Sequence, residues 1–151
     1  MNQEIAPLQL LAPRRAFSVL LSPTRRGARL ARLLATAHLG EWGIPSESAA
    51  QIVAELAANA MVHGCVPGRD FRLDLTVCEG GGVLRIEVSD ARGECLPPGP
   101  ADVVIPHDDS ESGRGLLIVE ALADRWGASA GPFPRKTVWA ELDLVPLHQQ
   151  A

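Results

Sequence analysis

The sequence predicts an α+β fold: a two-layer α/β sandwich in which one mixed, mostly antiparallel sheet has about three helices on one face. Three observations predict this class. Segments of alternating apolar and polar residues are joined by short turns, two segments with helical spacing follow the first strand, and a third helix follows a long aperiodic segment. The order is strand, helix, helix, strand, strand, loop, helix, strand, strand. It is not a Rossmann alternation, and the sequence has no G-x-x-x-x-G-K-[ST] phosphate loop.

Length and composition fit one globular domain. The chain has 151 residues, of which 46% are hydrophobic and 21% are charged, so a hydrophobic core is expected. We expect the domain to span residues 15–144, between tails at 1–14 and 145–151. The net charge of −4 gives no general attraction to nucleic acid or to anionic lipid, so neither is expected as a direct partner.

Cysteine content and hydropathy favour a cytoplasmic protein. There are three cysteines, an odd number without C-x-x-C spacing, which argues against a disulfide framework and against a zinc site. No apolar run approaches the roughly 20 residues that a membrane helix needs. The N-terminal residues have no basic start followed by an apolar core, so we expect neither a signal peptide nor a membrane segment.

The first strand and the first helix lie at the start of the predicted domain. The segment RAFSVLLS at 15–22 is short, apolar and partly β-branched, which predicts a strand. Ser22 and Pro23 then predict an N-cap and a first helical position, and the helix should end near Leu39 and Gly40. Its predicted buried face consists of Leu30, Leu33, Leu34 and Ala37. The opposite side has Arg25, Arg29 and Arg32. For these arginines a solvated face is the simpler interpretation, and a partner surface is the alternative.

The rest of the chain alternates between periodic and aperiodic segments. The remaining predicted elements are a helix from near Ser46 to His63, strands at 71–79 and 83–90, a helix at 113–127 and a closing strand at 135–144. Gly64 ends the second helix, and three glycines turn the chain between the two strands. Residues 91–112 have no period and contain four prolines, which indicates a functional or mobile loop.

The second predicted helix has three polar residues four positions apart within ELAANAMVHG (55–64): Glu55, Asn59 and His63. Each four-residue step moves only about 40° around a helix, so Glu55 and Asn59 should border the apolar face. For this pair alone, a solvated stripe is the simpler interpretation. The alternative is a ligand site, in which the asparagine amide oxygen coordinates Mg²⁺ and the carboxylate acts as a base.

Further candidate residues occur downstream. Asp90 ends a predicted strand, where it could start a turn or accept a hydrogen bond from the exocyclic amine of a purine. Gly113 and Gly115 flank Arg114 at a helix start, where free N–H groups attract anions, although a loop hinge also explains two glycines. Thr137, taken alone, is an ordinary strand residue.

The order of these features resembles the GHKL superfamily of ATP-binding domains, which includes histidine kinases, Hsp90, type II topoisomerases and MutL. The resemblance rests on Glu55-x-x-x-Asn59, Asp90, a long loop, Gly113-x-Gly115 and Lys136-Thr137-Val138, and it covers about residues 15–144. The stretches ELAANAMVHG (55–64) and GRGLLIVEALADRWG (113–127) are similar to the stand-alone anti-sigma-factor serine kinases and their bacterial relatives. The implied fold is the Bergerat fold.

The resemblance implies a role for each matching residue. Asn59 would coordinate a Mg²⁺ ion that bridges the ATP phosphates, and Glu55 would be the general base for a serine hydroxyl or for water. His63 would line the phosphate side. Asp90 would bind the adenine amine, helped by Thr137 through an ordered water. The residues that would hold the phosphates are Gly113, Arg114 and Gly115, and residues 91–112 would form the ATP lid.

One motif departs from the family pattern. The first glycine box of the family is usually Asp-x-Gly-x-Gly, whereas this chain has Asp90-Ala91-Arg92-Gly93 followed by Glu94 and Cys95. The glycine at Gly93 is displaced by one position, and the second glycine is missing. Adenine binding by Asp90 needs only the carboxylate, but the backbone beside the base should approach less closely. We therefore expect weakened nucleotide affinity.

The implied function is an ATP- and Mg²⁺-dependent serine/threonine protein kinase. Its substrate would be an anti-sigma antagonist of the STAS type, and binding of a sigma factor would be a second role. The alternative is a non-catalytic nucleotide-binding regulator that sequesters a protein partner, and a third interpretation is a slow ATPase. Glu55 discriminates between the first two, because a kinase needs a base and a binding module does not. Dimerisation is common in the resembling kinases, so a homodimer is an expectation that no sequence feature locates.

Overall fold

The computed structural model describes residues 14–78, 80, 82–92, 114–130 and 134–144. The helices and strands in these ranges are, in chain order, β1 (Arg14–Leu21), α1 (Arg25–Glu41), α2 (Glu47–His63), β2 (Phe71–Cys78), β3 (Val83–Asp90), α3 (Arg114–Leu122), β4 (Arg125–Ala130) and β5 (Lys136–Asp143). Their order agrees with the predicted order. None of the helices in this described part is long and apolar enough to span a membrane.

The five described strands form one open sheet in the order β1-β2-β3-β5-β4. Each neighbouring pair is antiparallel, so the described sheet is antiparallel throughout rather than mixed. In β3 every second side chain is buried, beginning with Leu84, and these side chains join residues of all three helices in a single core. One face of the sheet is therefore covered by helices, which confirms the predicted α+β class.

The second helix packs most deeply, because its apolar residues cover a broad face. Its buried residues are Ala49, Ala50, Ile52, Val53, Leu56, Ala57 and Ala60. The helix begins after Ser46 and ends at His63, within one residue of the predicted bounds. Glu55 and Asn59 are half-buried, which is the border position that the helical spacing predicted.

The predicted buried face of α1 was wrong. The buried residues are Gly27, Ala31, Ala35 and Leu39, whereas Leu30 is 39% exposed and Leu33 is 58% exposed. Ala37 is exposed, and Leu34 is half-buried. The small side chains at four-residue spacing allow α1 to lie close to α2, so the bulkier leucines face outward. Arg25, Arg29 and Arg32 are exposed, as expected for a solvated face or a partner surface.

The start of α1 also differs from the prediction. Thr24, not Ser22, is the N-cap, and its hydroxyl oxygen accepts a hydrogen bond of 3.1 Å from the Gly27 N–H. Ser22 lies beside the cap, with 2.9 Å between its hydroxyl oxygen and that of Thr24. Pro23 therefore precedes the helix instead of occupying its first turn.

The third helix is shorter than predicted. It ends at Leu122, and the residues from Arg125 form β4, which pairs with β5. Trp126 is buried in this strand, and the Asp124 N–H donates to the Glu141 carbonyl oxygen over 2.9 Å. Pairing with the neighbouring strand and burial of the indole ring thus override the helical spacing of the sequence.

Two glycines of α1 provide a matched test of its packing. A Cβ at Gly27 would lie 1.8 Å from the Ser22 carbonyl oxygen, whereas a Cβ at Gly40 would meet nothing within 4 Å. We expect Gly27→Ala to lower the free energy of unfolding by roughly 2–3 kcal/mol, because the backbone must shift. Gly40→Ala should raise it by up to about 1 kcal/mol, because alanine favours the helix. Equal effects in urea unfolding would contradict this packing.

Candidate functional site

The candidate site extends along α2, from Glu55 to the glycine after the last helical residue. A Cβ added at Gly115 in the first turn of α3 would lie 2.9 Å from Glu55 Oε2, so these groups are close neighbours. At the other end, a Cβ added at Gly64 would lie 2.2 Å from Asp90 Oδ2. At about 1.5 Å per helical residue, the two contacts are about 14 Å apart. One helix thus joins the start of α3 to the end of β3.

Glu55 is held by its neighbour one turn earlier. Gln51 Nε2 donates a hydrogen bond of 3.0 Å to Glu55 Oε1, and Oε2 is the oxygen nearest to Gly115. One carboxylate oxygen is therefore engaged within α2, while the other faces the first turn of α3. The free N–H groups of a helix start favour a negative charge at that place.

Asn59 and His63 continue the polar stripe toward the end of α2. Asn59 is half-buried, one turn beyond Glu55, so it lies between the two glycine contacts along the helix axis. His63 is the last residue of α2 and is exposed. No hydrogen bond or ion pair joins His63 to another residue in the described ranges.

Asp90 ends β3 and is a buried charged residue, with 5% of its surface exposed. Its Oδ1 accepts a hydrogen bond of 2.9 Å from the Arg92 N–H, and its Oδ2 lies 3.6 Å from Lys136 Nζ. Lys136 is only 4% exposed. Burial raises the pKa of Asp90 above its ordinary value, although the Arg92 N–H and the Lys136 ammonium both favour the charged form.

Thr137 does not lie beside Asp90. It pairs with Ser89 across β3 and β5, and the two hydroxyl oxygens are 2.8 Å apart. Side chains alternate between the faces of a strand, so Thr137 and Ser89 lie on the face away from the helices. Lys136 and Asp90 lie on the helix-covered face. The structure therefore brings Lys136, and not Thr137, against the carboxylate.

Gly64 and Lys136 are the residues at this site that sequence reasoning missed. Gly64 has φ −105° and ψ 4°, which any residue can adopt, so its lack of a side chain matters for space and not for conformation. From the sequence it was only a helix terminator. Lys136 had a usable signal, because the period of two places it on the same face as the buried Val138 and Ala140.

Several predicted site residues lie outside the described residues. These are Gly93, Gly113 and nearly all of the predicted lid. Arg114 is the first residue of α3. Their proposed contacts with phosphate and base therefore remain predictions. Within the described ranges, no group of three or more His, Cys, Asp or Glu side chains could hold a metal ion.

A pocket of about 190 Å³ lies at the end of the sheet where β3 ends. Its lining includes Leu20, Arg72 and Ser89, which are cross-strand neighbours on the face away from the helices. The lining also includes Arg69, Arg135, Asp70 and Asp90. The pocket thus adjoins the candidate site at Asp90, and its lining contains three arginines and two aspartates.

The close contact between Gly64 and the Asp90 side chain can be tested by substitution. Gly64→Ala would place a methyl group into the buried Asp90 side chain, where Oδ2, Cγ and Cβ are all within 2.8 Å. We expect a loss of roughly 1–3 kcal/mol in the free energy of unfolding. Gly68→Ala is an unsuitable control because of its φ of 79°, so Gly40→Ala serves instead. An unfolding midpoint for Gly64→Ala that matches or exceeds that of Gly40→Ala would refute the close contact.

Comparisons with known proteins agree with the fold. A family model described as the histidine kinase-like ATPase domain matches residues 21–139. No curated protein matches the sequence significantly. The crystal structure of the RsbU and RsbW domains of Rv1364c from Mycobacterium tuberculosis is similar, with a TM-score of 0.62 and 22% identity. The match covers 87% of this chain and 33% of that one, so this chain spans about a third of it. At this identity the likeness shows the fold. The family model covers most of the sequence, and the chain therefore belongs to the histidine kinase-like ATPase domain family.

Proposed function

We propose that this chain is an ATP- and Mg²⁺-dependent serine/threonine protein kinase that phosphorylates an anti-sigma antagonist of the STAS type. Binding of a sigma factor would be a second role. Family membership implies ATP binding. The observation that carries the proposal is the position of Glu55, whose Oε2 faces Gly115 at the start of α3. The motif resemblance to anti-sigma-factor serine kinases supports the substrate class.

The described residues fit a nucleotide along α2. Gly115 lacks a side chain where a Cβ would meet Glu55, so the carboxylate lies close to the backbone of the first turn of α3. The N–H groups of a first helical turn have no partner within the helix, and they suit phosphate. Asp90, about 14 Å away by helix rise, is an acceptor for a base amine. Phosphates at α3 and the base at Asp90 would thus lie at opposite ends of α2.

Asn59 lies between these ends and would hold Mg²⁺ through its amide oxygen. Magnesium keeps several waters and takes few protein ligands, with phosphate oxygens completing the shell, so one amide is a plausible protein contribution. Its half-buried position on α2 limits the orientations of the side chain. When bound, Mg²⁺ would neutralise charge that develops on the phosphates.

Glu55 would accept the proton of the substrate hydroxyl. Gln51 engages Oε1, which leaves Oε2 oriented toward the phosphate end of the proposed site. A carboxylate there would orient the serine hydroxyl and remove its proton as the phosphoryl group is transferred.

The second candidate function is a nucleotide-binding regulator that sequesters its partner without phosphorylating it. The exposed side of α1 favours such partner binding, because Leu30 and Leu33 are exposed close to Arg29. An apolar and basic surface of this kind suits an acidic protein segment. A kinase would also need a partner surface, so chemistry at Glu55 decides between the two functions.

Glu55→Gln tests the base. We expect transfer of labelled phosphate from ATP to a STAS-type protein to fall by at least about 100-fold, because the amide cannot accept the proton. The dissociation constant of ATP should change by less than about threefold, since Gln keeps the shape of the side chain. Glu47→Gln is the matched control, an exposed carboxylate in the first turn of the same helix, and should retain full transfer. Undiminished transfer in Glu55→Gln would exclude the assigned role.

Asn59→Ala tests the metal position. In calorimetric titrations, Mg²⁺ should strengthen ATP binding to the native chain, and this gain should be lost in Asn59→Ala because the amide oxygen is missing. Val62→Ala, an exposed change in the same helix, should keep the gain. An Asn59→Ala titration that responds to Mg²⁺ as the native protein does would remove Asn59 from the site.

A further inference from the structure

The buried pair of Asp90 and Lys136 lies where the proposed site would receive the nucleobase. The two residues are directly opposite each other in β3 and β5, and Oδ2 is 3.6 Å from Nζ. Both belong to the helix-covered face, and they are buried charged residues among the described ones. Gly64 lies directly against the carboxylate, because a Cβ there would be 2.2 Å from Oδ2.

Burial of this ion pair costs free energy that a purely structural role would not explain. The preceding cross-strand pair on the same face, Val88 and Val138, is apolar and buried, so the core continues up to this point without charge. Removing two charges from water costs free energy that their mutual attraction barely offsets, and an apolar pair of similar size is often as stable. Core packing alone therefore does not explain the pair.

The two groups present an acceptor beside a donor. A carboxylate accepts hydrogen bonds, and an ammonium group has three N–H donors, so Lys136 can donate to Asp90 and to a ligand together. The Watson–Crick edge of adenine has the complementary arrangement, in which the N6 amine donates and the adjacent N1 accepts. We propose that Lys136 donates a hydrogen bond to adenine N1 while Asp90 accepts one from the N6 amine. Lys136 is then a determinant of base specificity.

This inference rests on the proposed ATP site and adds a direct base contact to it. The motif resemblance implied that Thr137 helps Asp90 to bind adenine through an ordered water. Thr137 lies on the other face of the sheet, bonded to Ser89, and the lysine is the strand residue that reaches the carboxylate. The Lys136 ammonium group, and not an ordered water, would therefore bind the Watson–Crick edge of adenine.

ATP analogues test the contact on the unmodified protein. In 1-deaza-ATP the N1 acceptor is replaced by C–H and the N6 amine is kept, whereas 7-deaza-ATP keeps both groups. With Mg²⁺ present, we expect 1-deaza-ATP to bind roughly 10- to 100-fold more weakly than ATP, because a hydrogen bond from a charged donor is lost. 7-Deaza-ATP should bind within about threefold of ATP. Equal affinities for ATP and 1-deaza-ATP, or tighter binding of GTP than of ATP, would overturn the assignment.

The Lys136→Met variant tests whether Lys136 causes the discrimination between ATP and 1-deaza-ATP. The variant keeps an unbranched apolar stem and removes the donor, so it should bind ATP and 1-deaza-ATP equally. Arg26→Met, at an exposed position of α1, is the control and should retain the preference for ATP. Discrimination that persists in a folded Lys136→Met would overturn the inference, and if that variant does not fold, the analogue series on the native chain decides. ATP binding without N1 discrimination would refute only the role of Lys136, whereas failure of ATP to bind would refute the proposed function as well.

Discussion

Burial of the apolar face of α2 against the sheet is the constraint on which the site depends. Ile52, Val53 and Leu56 are almost fully buried, and each contributes roughly 1.5–3 kcal/mol relative to an exposed side chain. That burial sets the rotation of the helix. A rotation by one residue, about 100°, would take the Glu55 carboxylate out of its border position and expose part of the core. Core packing thereby determines where the polar stripe of α2 points.

The same helix links the two ends of the site through positions that lack side chains. Gly115 brings the start of α3 against Glu55, and Gly64 brings the end of α2 against Asp90. Neither contact tolerates a Cβ without movement of the opposing group. The charged groups of the site are thus positioned by backbone proximity, and the buried Lys136 balances the charge of Asp90. Electrostatics and packing constrain the same few residues.

Periodicity correctly predicted those elements in which only one orientation buries the apolar residues. In α2 only one rotation buries the apolar residues, so Glu55 and Asn59 were expected at the border, and in β3 the period of two fixed the buried face. α1 has two competing stripes, one of leucines and one of small residues, and close contact with α2 selected the small ones. The sequence pattern of α1 alone does not show how closely α2 packs against it.

Tertiary contacts explain the remaining differences. The segment after Leu122 has helical spacing, but pairing with β5 and burial of Trp126 make it a strand. The pairing register of β3 and β5 places Lys136, and not Thr137, opposite Asp90, and register between distant strands cannot be read from local patterns. Gly64 resembles any helix terminator until the Asp90 side chain is seen against it.

The central claim is that a nucleotide lies along α2, with its base at Asp90 and its phosphates at the start of α3. A crystal structure of the chain with Mg²⁺ and a non-hydrolysable ATP analogue tests this most directly. We predict the base within hydrogen-bonding distance of Asp90 and the phosphates against the backbone at Gly115. A nucleotide whose phosphates lie among Arg69, Arg72 and Arg135, away from the start of α3, would contradict the account.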